Sequence, residues 1–287
     1  MKKDKTVIII VGPTASGKTA LSLQLAAQYK TSIISADSRQ CYKELNIGVA
    51  KPSPEELASV KHYFINSHSI HDTVNAQVFE TYALNAVKEI FQHNDVAIMV
   101  GGTGMYIKAF CEGLDPIPEV DISIRNEIIN AYNVNGLSWL QNEVEMLDPE
   151  FWKQAEQQNP QRLMRALEVK KSTGISIIAF RKNVKKERNF NIEKIGIDLS
   201  KGQLHFNIEK RVDEMFEQGL IDEVNSLLPY KYLNPLQTVG YKEVFEYIDK
   251  QINLDECRKK IILNTKHYAK RQLTWFKRDI NIDWRSI

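Results

Sequence analysis

Thr6-Val7-Ile8-Ile9-Ile10-Val11-Gly12-Pro13-Thr14-Ala15-Ser16-Gly17-Lys18-Thr19 reads as a strand that enters a loop and then a helix. The β-branched run suits a buried strand, and Leu21, Leu25 and Ala26 follow at helical spacing. Between them, Gly12 and Gly17-Lys18-Thr19 complete a G-x-x-x-x-G-K-[ST] pattern in the strand-to-helix context it requires. Glycines let the backbone turn so that its N–H groups converge on an anion, and the following helix adds its positive end. Lys18 supplies a point charge and Thr19 a hydroxyl suited to Mg²⁺. Gly12, Pro13, Thr14, Ala15, Ser16, Gly17, Lys18 and Thr19 are thus expected to bind a di- or triphosphate. The pattern does not say which one, or what becomes of it.

The chain has 287 residues, 43% of them hydrophobic, enough for a sizeable core with room for an inserted domain. The six-residue run Thr6 to Val11 after Met-Lys-Lys-Asp-Lys is too short for a signal peptide or a membrane span. Cys41, Cys111 and Cys257 lie far apart without a C-x-x-C, which points away from disulfides and zinc and toward a reducing cytoplasm. The net charge of +2 conceals an asymmetry. Residues 1–157 carry 13 Lys and Arg against 19 Asp and Glu, and residues 158–287 carry 25 against 17. A basic second half suits a polyanionic partner.

Along the chain, Ser32 to Ala36 reads as a second strand, closed by Asp37 and followed by the polar stretch Ser38-Arg39-Gln40. Residues 75–93 look helical, and Asp95 to Val100 is a third strand ending in Gly101-Gly102-Thr103-Gly104. Such alternation predicts an α/β fold, a parallel sheet of the P-loop NTPase type flanked by helices. From Asp121 the texture turns helical, over 121–134, 136–147 and 150–157. Asn159-Pro160 and Gly174 look like the two ends of one further helix, and 181–188 is a basic run expected to form a loop. A strand follows at Ile192 to Leu199, then helices at about 203–218, 219–228, 240–250 and 254–278. The expected organisation is a core over 1–120, an all-helical insertion over 121–191, and a return to the core over 192–287.

The third strand ends in glycines, so the carboxylate near the phosphate loop is Asp37. It can hold Mg²⁺ through water, act as a general base, or merely cap the next turn. Arg162 and Arg165 share a helix face and suit phosphate or base contacts, or a solvated surface. From Arg258 to Arg278 there are eight Lys or Arg and no acid, interleaved with Tyr268, Trp275 and Phe276. That mixture suits flexible nucleic acid, while Tyr268, Leu273 and Phe276 also fit a buried helix face.

These stretches together resemble the tRNA dimethylallyltransferases, also called isopentenyl transferases. The resemblance rests on the loop from Gly12 to Thr19, Ser35-Ala36-Asp37-Ser38-Arg39-Gln40-Cys41-Tyr42, Gly48-Val49-Ala50-Lys51-Pro52 and Val100-Gly101-Gly102-Thr103-Gly104-Met105-Tyr106. It continues through Asn159-Pro160-Gln161-Arg162, Arg165 to Val169, Arg211 to Met215, Gly240 to Glu243 and Tyr268 to Gln272. Ser16, the run Val60 to Asn66 with His62, and Lys266 depart from the usual pattern. The resemblance implies transfer of a dimethylallyl group from dimethylallyl diphosphate to N6 of adenosine 37, in the tRNA anticodon stem-loop. It implies that Lys18, Asp37 and Thr103 are catalytic, and that Mg²⁺ is held by Thr19. It carries over Asp37, Ser38, Arg39, Gln40, Thr103, Arg125, Gln161, Arg162, Leu163, Met164 and Arg165 as tRNA contacts. A monomer acting in the cytoplasm, away from membranes, is expected. A small-molecule kinase and a nucleotide-binding RNA regulator remain the competing classes.

Overall fold

The structure is a computed structural model that describes residues 4–182 and 184–286. It comprises two units, one of Met1–Gly113 with Glu187–Ile287 and one of Leu114–Lys186. In the first, β1 (Thr6–Val11) leads into α1 (Lys18–Tyr29), and β2 (Ile33–Ser35) into α2 (Pro54–Ser59). β3 (His62–Tyr63), α3 (Ala76–Ile90), β4 (Val96–Val100) and α4 (Gly104–Glu112) complete its first part.

The second unit holds α5 (Ile122–Leu147), α6 (Pro149–Trp152), α7 (Pro160–Thr173) and α8 (Ile177–Phe180). The first unit resumes with β5 (Asn191–Asp198), α9 (Lys201–Glu217), α10 (Leu220–Ser226), α11 (Tyr241–Ile248), α12 (Leu254–Phe276) and β6 (Ile282–Ser286).

The six strands form one sheet in the order β3-β2-β4-β1-β5-β6, with every pairing parallel. β1 lies between β4 and β5, and both of its faces are covered. Val7, Ile9 and Val11 pack into one apolar cluster, and Ile8 and Ile10 into the other. That is why β1 reads as an unbroken apolar run rather than an alternating one. α2, β3 and β6 were not anticipated. β3 has only two residues, too few to show a period, whereas β6 does alternate apolar Ile282 and Trp284 with polar Asp283 and Arg285, over a stretch of five residues.

The second unit builds its own core from Ile128, Leu140, Val144, Phe151, Leu163, Met164 and Leu167. Asn159 accepts the N–H of Arg162 to cap α7, and Gly174 ends that helix in the left-handed conformation. α5 is interrupted at Gly136, between the two helical segments expected there. The helix expected over 150–157 shortens to α6.

Its boundaries fall at 113/114 and 186/187, a few residues before the expected 121 and 191. Ile117 and Val120 pack on the helical core, which draws 114–120 into this unit. Arg188 donates Nε to the Phe110 carbonyl at 2.7 Å and pairs with Glu80 at 2.8 Å, so it belongs to the sheet domain. Asn183, within the basic run 181–188, lies outside the described residues. No helix among the described residues is long and apolar enough to cross a membrane.

Candidate active site

The loop after β1 takes the backbone that its glycines permit. Gly12 has φ 147°, Ala15 φ 61° and Gly17 φ 87°, and α1 starts at Lys18 with no side-chain cap. First-turn N–H groups without a cap are the donors an anion would use. The Lys18 ammonium donates to the Pro13 carbonyl within the same loop. Burial pushes its pKa down to about 7, helped by nearby Arg211 and opposed by Asp37. Ser16 Oγ is buried without a hydrogen-bond partner.

Three side chains from the C-terminal half brace this loop. Gln272 of α12 accepts the Thr14 N–H at 2.8 Å and donates to the Gly102 carbonyl at 3.0 Å, joining the two glycine-bearing turns. The Thr14 N–H is therefore committed inside the protein. Arg211 of α9 donates to Thr14 Oγ1 at 3.0 Å, and one turn earlier Asn207 donates to the Ala15 carbonyl at 3.0 Å. Burial also lowers the pKa of Arg211, but guanidinium starts so high that it stays charged. Two cations therefore meet at one loop, with Asp37 acting on both and Glu214 on Arg211.

Asp37 is both a turn residue and a site residue. Its Oδ1 accepts the N–H groups of Arg39 at 2.8 Å and Gln40 at 3.3 Å, which is the capping role weighed from the sequence. Both bonds go to Oδ1, so the cap orients the carboxylate and leaves Oδ2 available. Thr103 Oγ1 accepts the Ser38 N–H at 3.1 Å, so it steadies this turn.

Asp37, Ser38 and Arg39 share one cavity of about 190 Å³ with Thr14, Arg211 and Tyr268. Gln40 is turned inward instead. Its amide donates to the carbonyls of Val49 and Ala50 and accepts from Ser35 Oγ, so its side chain holds a loop rather than an RNA.

That loop, which also walls the cavity, is clamped by Glu223 of α10. The carboxylate accepts the N–H groups of Ile47 at 2.7 Å and Gly48 at 3.1 Å, and the Tyr241 hydroxyl. Gly48 lies so close to the Tyr241 ring that a Cβ there would come within 2.4 Å of it. Lys51 ties the loop's far end to the Tyr42 carbonyl and to Asn66. Glu223→Ala removes the acceptor of three donors. It should cost about 1–3 kcal/mol in urea unfolding and speed hydrogen exchange at residues 46–50, whereas Glu223→Gln, which keeps one of the two acceptor oxygens, should recover only part of the loss.

The IPP transferase family model matches residues 40–279. The tRNA dimethylallyltransferase 1 of Bacteroides fragilis is 44% identical over 280 residues, which are 98% of this chain and 93% of that protein. The chain belongs to the IPP transferase family. The tRNA dimethylallyltransferase of Christiangramia forsetii is 46% identical over 97% of this chain and 92% of its own. The crystal structure of the tRNA isopentenylpyrophosphate transferase of Bacillus halodurans superposes with a TM-score of 0.72. It is 33% identical and covers 99% of this chain and 90% of that one. A eukaryotic dimethylallyltransferase, captured acting on tRNA, gives a TM-score of 0.76 at 26% identity, covering 98% of this chain and 74% of that one.

The remaining candidates of this IPP transferase lie in the helical unit. Leu163 and Met164 are buried on the apolar face of α7, so they pack the unit's core and are corrected as tRNA contacts. Gln161 and Arg162 are exposed, and Arg162 pairs with the exposed Glu156 at 3.3 Å. Arg165 pairs with the buried Glu168 at 3.3 Å and donates to the Pro118 carbonyl. Arg125 approaches the other Glu168 oxygen at 3.7 Å. Arg165 therefore compensates a buried carboxylate, and Arg162 is the freer of the pair. Arg165→Ala should lower the melting temperature, because Glu168 loses its nearer cation. Arg162→Ala should leave it unchanged while reducing the log–log salt slope of tRNA binding by roughly 0.7–0.9.

The basic helix also divides. Arg258, Lys260 and Lys266 of α12 pair with Asp213, Glu246 and Glu209 of other helices, and Lys259 pairs with Asp255. Four of the eight cations between Arg258 and Arg278 are thereby paired. Tyr268 faces the cavity, and Arg271 lies 5.7 Å from the Tyr268 ring centre. His62 donates or accepts only locally, at the Val60 carbonyl.

Proposed function

We propose that the chain transfers a dimethylallyl group from dimethylallyl diphosphate to N6 of adenosine 37 in tRNA, beside the anticodon. The observation that carries this reading is a single cavity. It brings Asp37 together with Arg211 and with Thr14 of the phosphate loop. A diphosphate seated on the loop would be a leaving group rather than a phosphoryl donor. As the carbon–oxygen bond breaks, the electron pair departs with the diphosphate, and Lys18, Arg211 and the loop N–H groups stabilise it. The N6 lone pair attacks the allylic carbon, and Asp37 Oδ2 takes the amine proton. An exocyclic amine is a weak nucleophile, so holding it against the carbon matters as much as the base. The adenine must leave its stack to enter the cavity, at a cost of a few kcal/mol. Tyr268 offers an aromatic surface there.

The oxygen donors present suit a hard cation. Thr19, half-buried in the first turn of α1, would hold Mg²⁺. Bound there, the ion would neutralise charge growing on the diphosphate. Arg39, Arg162 and Gln161 are the exposed or half-exposed candidates for tRNA. Three unpaired cysteines fit a reducing cytoplasm.

The test is a transfer assay with total tRNA and two labelled donors. Label from allyl-labelled dimethylallyl diphosphate should enter tRNA, and label from γ-labelled ATP should not. Transfer from ATP would favour a kinase, and binding without either transfer would favour a regulator.

A further inference from the structure

We propose that Met215 limits the prenyl group to five carbons. This rests on the reading of an allyl diphosphate donor given above. Three residues of α9 stand four apart on one stripe of the helix: Asn207, Arg211 and Met215. The first two touch the phosphate loop, at the Ala15 carbonyl and at Thr14 Oγ1. The third lines the cavity beside Val49, Val212, Val239 and Ile261. The stripe therefore begins at the polar end of a donor and finishes in an apolar wall.

The spacing acts as a ruler. Four helical residues advance about 6 Å. Counting roughly 1.3 Å per carbon–carbon bond along an extended chain, a dimethylallyl group reaches about 4 Å past its first carbon and a geranyl group about 9 Å. Met215, about 6 Å beyond the Arg211 that faces the diphosphate, lies between those lengths. Its neighbours cannot easily yield. Val212 and Ile261 are each 1% exposed and belong to the main core. Val49 sits on the loop that Glu223 and Gln40 hold. Met215 itself is half-buried and unbranched, so truncating it opens space at the chain's end without emptying the core.

The chemistry with a ten-carbon donor is unchanged. The carbon–oxygen bond breaks with its electron pair going to diphosphate, the N6–carbon bond forms, and the amine proton goes to Asp37. Only the tail differs.

The test is competition between dimethylallyl and geranyl diphosphate for transfer to tRNA, read by mass spectrometry of the modified nucleoside. The wild-type protein should transfer the five-carbon group almost exclusively. Met215→Ala should raise the ten-to-five-carbon ratio at least about tenfold, because a few methylenes of pocket space carry that much discrimination. Met215→Val, a milder truncation that guards against misfolding, should fall between. Five-carbon transfer at an unchanged ratio in both variants would overturn the proposal alone. No transfer of either group by the wild-type protein would overturn the donor reading and the proposal with it.

Discussion

Asp37→Asn should slow single-turnover transfer to tRNA by roughly 10²- to 10⁴-fold, the range for loss of a positioned general base. The structure makes this substitution unusually clean. The side-chain oxygen of asparagine can still accept the N–H groups of Arg39 and Gln40, so the turn that Oδ1 caps should survive. What is lost is the second oxygen, and with it the ability to take a proton. Affinity for tRNA and for dimethylallyl diphosphate should change little. If the carboxylate instead serves Mg²⁺, diphosphate binding should weaken and added Mg²⁺ should partly restore the rate. Rapid-quench transfer across a Mg²⁺ titration separates these outcomes. A normal rate in the variant would leave Asp37 as a turn residue only.

Lys18→Ala should lower transfer by roughly 10²- to 10³-fold or more while tRNA binding persists, because Lys18 serves the diphosphate end alone. The wild-type residue should also show itself in pH dependence. In the free protein, burial and then Arg211 hold its pKa down to about 7, against the pull of Asp37. A bound diphosphate is an anion beside the ammonium, so it must raise that pKa. Binding at pH 8 should therefore take up a proton, and affinity should fall as pH rises above about 7. Calorimetry in buffers of different ionisation enthalpy would measure the uptake, and Lys18→Ala should abolish it. Proton-independent binding by the wild-type protein would sink this account. The same lowered pKa makes the free fold more stable as pH rises from about 7. Across that range up to the usual lysine value, the unfolded chain binds a proton that the folded chain has lost.

Much of the site was visible along the chain because its parts are contiguous. Gly12 to Thr19 form one local backbone feature, and Asp37 to Gln40 form one turn. The braces were not visible as braces. Arg211, Asn207, Gln272 and Glu223 act on loops from which they are far in sequence. Arg211 and Gln272 did fall within stretches that resemble the family, which was the one signal that could have singled them out. The basic stretch 258–278 misled in proportion to its partners. A count along the chain sees the cations of α12 and misses Asp213, Glu246 and Glu209, which stand on other helices. Leu163 and Met164 adjoin Arg162 in sequence, yet helical periodicity turns them to the core.

The amino-acid order by itself determined the strand–loop–helix, the parallel α/β core, the helical insertion and the likeness to one enzyme family. Those properties follow from burial periodicity and from backbone angles that glycine alone adopts without strain, and both are local. Tertiary structure decided what the loop's neighbours are and how they are charged. Desolvation and Coulomb interactions depend on distance through space. Only the folded chain could therefore place Arg211 beside Lys18, leave one oxygen of Asp37 unspent, and set Met215 one helical turn beyond the phosphate end of the cavity.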